Sequence, residues 1–160
     1  MLALRFSRHE ITWTTGVVEQ WSTVGREMGL SLQLGPPTDV QVRRWLAGLG
    51  RLHAGAVLRV CASRWHAMRN SGAPAPTAAA VRALHRRFRA QRFSPIELAD
   101  LAVGGEDLQR AGIPAGPIYA KILHALLERV LHDPARNTTA VLLADLPRIL
   151  SAIDGTGPSS

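Results

Sequence analysis

The sequence has 160 residues, 46% hydrophobic and 5% aromatic, with one cysteine and a formal net charge of +7. That apolar content can bury a core for one domain or two small ones, which excludes wholesale disorder, and a lone cysteine excludes a disulfide framework within the chain. Arg5 and Arg8 interrupt the N-terminus before an apolar run of signal-peptide length forms, and no run approaches a membrane span, so a cytoplasmic location without a membrane partner is expected.

Few stretches alternate with period two, and the apolar residues recur at helical spacing instead, which predicts an all-α fold of about seven short helices in two small subdomains. Ser7 with Glu10 forms a capping-box pattern ahead of a helix whose apolar face is Ile11, Val17, Val18, Trp21 and Val24, with Gly29 as its stop. Thr38 or Asp39 caps a second helix. A third runs from about Leu52 to Arg69 with Val57, Leu58, Cys61, Trp65 and Met68 inward. Residues 71–77, rich in Gly, Ser and Pro, read as the linker between a first part (1–70) and a second (78–154), with 155–160 a frayed tail.

Thr77 then caps a helix with Val81, Leu84 and Phe88 on one side and Arg82, Arg86, Arg87, Arg89 and Arg92 over the rest, with no acid among residues 78–92. Ser94 with Pro95 opens a short helix ending at Gly104. Glu106 and Asp107 suit the first turn of the next, which Gly112 closes. Pro117 starts an apolar helix with two adjacent rows, Ile118, Ile122, Leu126 and Val130 beside Tyr119, Leu123, Leu127 and Leu131, so it should be largely buried. Asn137 caps the last helical segment and Pro147 interrupts it.

Charge is divided along the chain. Residues 1–95 hold 14 Arg against 4 acids, a balance of +10; residues 96–160 hold 4 Arg and 1 Lys against 8 acids, a balance of −3. A basic half suits a polyanion. The five arginines of residues 82–92 are therefore the candidate contacts to RNA phosphates, by charge and bidentate hydrogen bonding, unless they form a solubilising face. Gly112 and Gly116 bracket a tight corner with Lys121 one turn beyond, which is either a backbone phosphate site or a structural helix–helix join. No metal site is expected: of His9, His53, His66, His85, His124 and His132 no two stand four apart. No Walker loop, no Asp-x-Asp pair and no evident Ser/His/Asp set is present, so no catalytic residue is assigned.

Residues 93–143 carry Asp100-Leu101, Gly104-Gly105, Asp107-Leu108, Gly112-Ile113, Gly116-Pro117, a helix through Leu131, and Asn137-Thr138. In this order the motifs resemble the C-terminal region of bacterial CCA-adding tRNA nucleotidyltransferases and related poly(A) polymerase-like enzymes. Ala120 stands where that family often has a second Gly. Residues near 3–21 and 38–50 are similar, more loosely, to the HD-like body, with Trp21 where a His is often found.

The catalytic head's Gly-Ser turn and paired aspartates are not in this sequence, nor are the neck's nucleotide-selecting Asp and Arg. The resemblance therefore implies a helical body and tail that hold tRNA. Magnesium and nucleotide would belong to a head supplied elsewhere, and this chain alone would have no cofactor. The rival readings are a split or regulatory subunit of such an enzyme, a protein–protein interaction module, and an HD-type hydrolase, whose metal ligands are missing.

Overall fold

A computed structural model of the chain describes residues 15, 16, 19 and 21–154. The expected capping box at Ser7 and Glu10, the positions Ile11, Val17 and Val18, and the tail 155–160 lie outside the described residues. Among those described every regular element is helical, and the fold is all-α. The chain divides into two units, Met1–Phe93 and Ser94–Ser160.

In unit 1 a π turn, Trp21–Gly25, leads into α1, Arg26–Leu34. Gly29 does not stop this helix. It lies buried inside it, and a Cβ there would come within 3.0 Å of the Trp65 indole Nε1, so the glycine serves close approach rather than termination.

The two helices expected between residues 39 and 69 are joined as α2, Asp39–Asn70, kinked at Gly50 with φ 67°. Thr38 caps it, its hydroxyl accepting from Gln41 N while the Gln41 side chain accepts from Thr38 N. A straight helix of this length would run about 48 Å, more than twice the roughly 20 Å of α3, Ala78–Ala90. Polar bonds tie α3 to both ends of α2. Arg69 near the C-terminus donates to Pro76 O just ahead of α3, and Arg87 reaches Pro37 and Asp39 at the N-terminus. The left-handed Gly50 kink lets both ends meet one short helix.

Val42, Trp45, Leu49, Val57, Leu58, Cys61 and Trp65 of α2 are buried, as are Val81, Leu84 and Phe88 of α3. Trp45 Nε1 donates to Glu27 Oε1 at 2.9 Å, joining α1 to α2. Burial pushes the Cys61 thiol up to about 12, against a weaker opposing backbone hydrogen bond, so Cys61 is an inert core residue.

Residues 71–77 are thus a turn inside unit 1, closed by Gly72 at φ 75°, and the division between units falls at Phe93 instead. Gly, Ser and Pro mark the loss of helix there. The apolar face of α3 against α2 keeps α3 in the first unit.

Unit 2 holds a 3₁₀ turn (Leu98–Asp100), α4 (Gly105–Arg110), α5 (Ile118–His132), a second 3₁₀ turn (Pro134–Arg136), α6 (Thr139–Ala144) and α7 (Leu146–Asp154). Its core is Val103, Leu108, Ile113, Ile122, Leu126, Val130, Leu142, Leu146 and Ile149, with Ile118, Tyr119 and Leu123 packed at its edge. The two apolar rows of α5 supply most of this core, as their spacing predicts. Pro147 sits at the start of α7, where a missing N–H costs nothing.

Two expected caps are corrected. Ser94 opens no helix; the segment makes only the 3₁₀ turn, in which the Asp100 carboxylate accepts from Ile96 N and Glu97 N. The cap of α6 is Thr138, accepting from Val141 N, rather than Asn137. Asn137 instead donates to Asp100 O at 2.8 Å and accepts from Ala102 N at 2.9 Å, tying the start of the unit to its later half.

Candidate nucleic-acid interface

The arginine-rich helix α3 separates its residues cleanly. Val81, Leu84 and Phe88 go inward, and Arg82, Arg86 and Arg89 are exposed at i, i+4 and i+7, one row along the opposite side. No ion pair or hydrogen bond joins these three guanidinium groups to another described residue. The row is a line of positive charge open to an anion from outside.

The other two predicted contacts sit differently. Arg87 is half-buried: its Nη1 donates to Pro37 O at 2.6 Å and to Asp39 Oδ1 at 3.0 Å, which fastens α3 to the start of α2 and neutralises the charge within the unit. In this structure Arg87 serves as an internal tie, because Asp39, the helix-start acid of α2, lies within its reach. Arg92 lies just past α3, with its guanidinium 4.2 Å from the centroid of the Phe93 ring, a cation–π contact worth about 0.5–1 kcal/mol at an exposed site.

Sequence spacing missed the basic residues of α2. Arg44, Arg51 and Arg59 are exposed on the same unit, while Arg43 is buried and donates to Gln91 Oε1 at 3.3 Å. The excess of arginine across residues 1–95 was the signal for them, but it does not say which ones the fold turns outward.

The corner at residues 112–116 is built from internal bonds. Gly112 takes φ 84°, donating to Gln109 O, and Ile113 N donates to Leu108 O, which closes α4. The Tyr119 hydroxyl donates to Ile113 O at 2.9 Å and Tyr119 N to Gly116 O at 3.0 Å, which locks the entry to α5. Only Gly112 needs to be glycine; a Cβ on Gly116 would meet nothing within 4 Å. Lys121 is exposed on α5. These contacts give the corner a structural role.

Elsewhere in unit 2 three of the four arginines are paired, while Arg148 on α7 is exposed and joined to no other described residue by an ion pair or hydrogen bond. Asp145 is buried with Arg129 Nη1 at 2.9 Å and Arg136 Nη2 at 2.8 Å. Burial pushes its carboxyl up, but the hydrogen bonds and charges of the two arginines outweigh that and hold it below the ordinary aspartate value. Arg110 pairs with Asp107 at 2.7 Å and Glu106 at 3.2 Å.

Fold and surface together define an all-helical protein whose first unit presents unpaired arginine. No family model, no curated protein and no solved structure matches the chain. Among the described residues no group of three or more His, Cys, Asp or Glu is placed to hold a metal ion, and no helix is long and apolar enough to cross a membrane.

Proposed function

We propose that this chain is a non-catalytic RNA-binding region that grips structured RNA through its phosphates. By the family resemblance of residues 93–143, that RNA is tRNA, held so that its 3′ end is presented to a nucleotide-adding head carried elsewhere. One observation carries the reading: Arg82, Arg86 and Arg89 form an exposed row that no acid among the described residues neutralises. A row of guanidinium groups on a rigid helix suits a sugar–phosphate backbone, which offers repeated charge and no sequence. The test is tRNA binding by the full chain, by fluorescence anisotropy, beside the variant Arg82→Glu/Arg86→Glu/Arg89→Glu. Binding by the wild type and its loss in the variant is the expected result; equal binding by both would overturn the reading.

A second reading, a protein–protein interaction module, is favoured by Leu30 and Leu34, one turn apart on α1 and 66% and 92% exposed. If it is correct, Leu30→Ser/Leu34→Ser abolishes association with the partner protein, and the arginine variant leaves it intact.

A further inference from the structure

We propose that Phe93 is a stacking platform for one unpaired nucleobase of the bound RNA; this rests on the RNA-binding reading above. The aromatic side chains described elsewhere are inside or occupied: Trp45, Trp65 and Phe88 are buried, and Tyr119 is half-buried with its hydroxyl bonded to Ile113 O. Phe93 is 79% exposed. A ring this exposed adds little to the core of unit 1, and its open face can meet a ligand.

The ring is also held in place. Arg43 donates to Gln91 Oε1 and Arg51 to Arg92 O, so two side chains of α2 tie down the two residues just ahead of it. The Arg92 guanidinium lies over one face at 4.2 Å, which leaves a single face for a base.

Position supplies the ligand. Phe93 follows the last residue of α3 by three positions, so a strand whose phosphates track those arginines toward the C-terminal end of the helix would come to the segment that carries the ring. Stacking on an aromatic face is indifferent to which base is offered, since every base has a π-face, but it requires that base to be out of a duplex. The site therefore selects RNA with a single-stranded end or loop over a blunt duplex.

The test compares the full chain with Phe93→Ala and Phe93→Trp on two RNAs: a hairpin with a short 3′ overhang containing 2-aminopurine, and the same hairpin made blunt. Phe93→Ala should weaken overhang binding about tenfold and change blunt binding less than about twofold. Phe93→Trp should retain overhang affinity. The 2-aminopurine should be quenched by wild type and Phe93→Trp and not by Phe93→Ala. Thermal melts of all three proteins should coincide, since the ring is exposed.

An equal loss on both RNAs would assign Phe93 a structural part and overturn stacking. Salt-sensitive wild-type binding with no effect of Phe93→Ala would overturn stacking and leave the RNA reading standing. A wild type that binds neither RNA would overturn both.

Discussion

Unit 1 and unit 2 handle arginine in opposite ways. In unit 2 the acids outnumber the bases, and three of the four arginines are drawn into them, Arg129 and Arg136 onto Asp145 and Arg110 onto Asp107 and Glu106, while Arg148 stands alone on the surface rather than in a row. In unit 1, with 14 Arg against 4 acids across the same division of charge, one arginine of α3 finds an acid and three on its outer row find none among the described residues. A count of basic residues therefore does not define an interface. The absence of internal partners along a rigid, exposed row does.

The sharpest way to break this comparison is to reverse charge in each unit. Arg82→Glu/Arg86→Glu/Arg89→Glu should lower tRNA affinity about 100-fold, whereas Arg110→Glu/Lys121→Glu in unit 2 should change it by less than about threefold. Equal losses would mean that both units bind.

Next in size is the interior of unit 2. Asp145→Asn leaves Arg129 and Arg136 facing each other and should cost about 2–3 kcal/mol in denaturant unfolding, below the range for a fully buried pair because both arginines keep some exposure. The carboxyl is held below its ordinary value of 3.8, so its contribution is complete above that value and is lost as pH falls through the lower folded one. Stability of the wild type should drop below about pH 4 more steeply than that of Asp145→Asn.

The corner separates structure from binding on a smaller scale. Gly112→Ala, at φ 84°, should destabilise by about 1–2 kcal/mol, while Gly116→Ala should be near neutral in both melts and tRNA affinity. A loss of tRNA binding on Gly116→Ala would make the corner a phosphate site after all. A comparably small effect belongs to Arg87→Ala, about 0–1 kcal/mol for an ion pair this exposed, with tRNA affinity nearly unchanged.

Helical periodicity made much of this fold legible. The buried stripe of α3, the two apolar rows of α5, the Gly112 stop and the Pro147 break all depend on local geometry that a few neighbouring residues determine. Gly29, Asn137 and the end of unit 1 were not legible for the opposite reason. Gly29 looks like a stop, and only the distant Trp65 makes it an interior contact. Asn137 and Thr138 are both good caps, and the bonds to Asp100 and Ala102, far back in the chain, decide between them. For the site, spacing picked out the arginine-bearing helix, but it could not show that Asp39 claims Arg87, nor that the ring beside Arg92 stays in water.

The most direct measurement is the salt dependence of tRNA affinity for the full chain and for Arg82→Gln/Arg86→Gln/Arg89→Gln. With about four phosphate contacts the wild-type log–log slope should be near −3 to −4, a loss of about 100-fold between roughly 50 and 200 mM salt, and the variant's slope should be shallower by about two to three. A wild-type affinity that holds level across that range, or a slope that the three substitutions leave unchanged, would contradict the account.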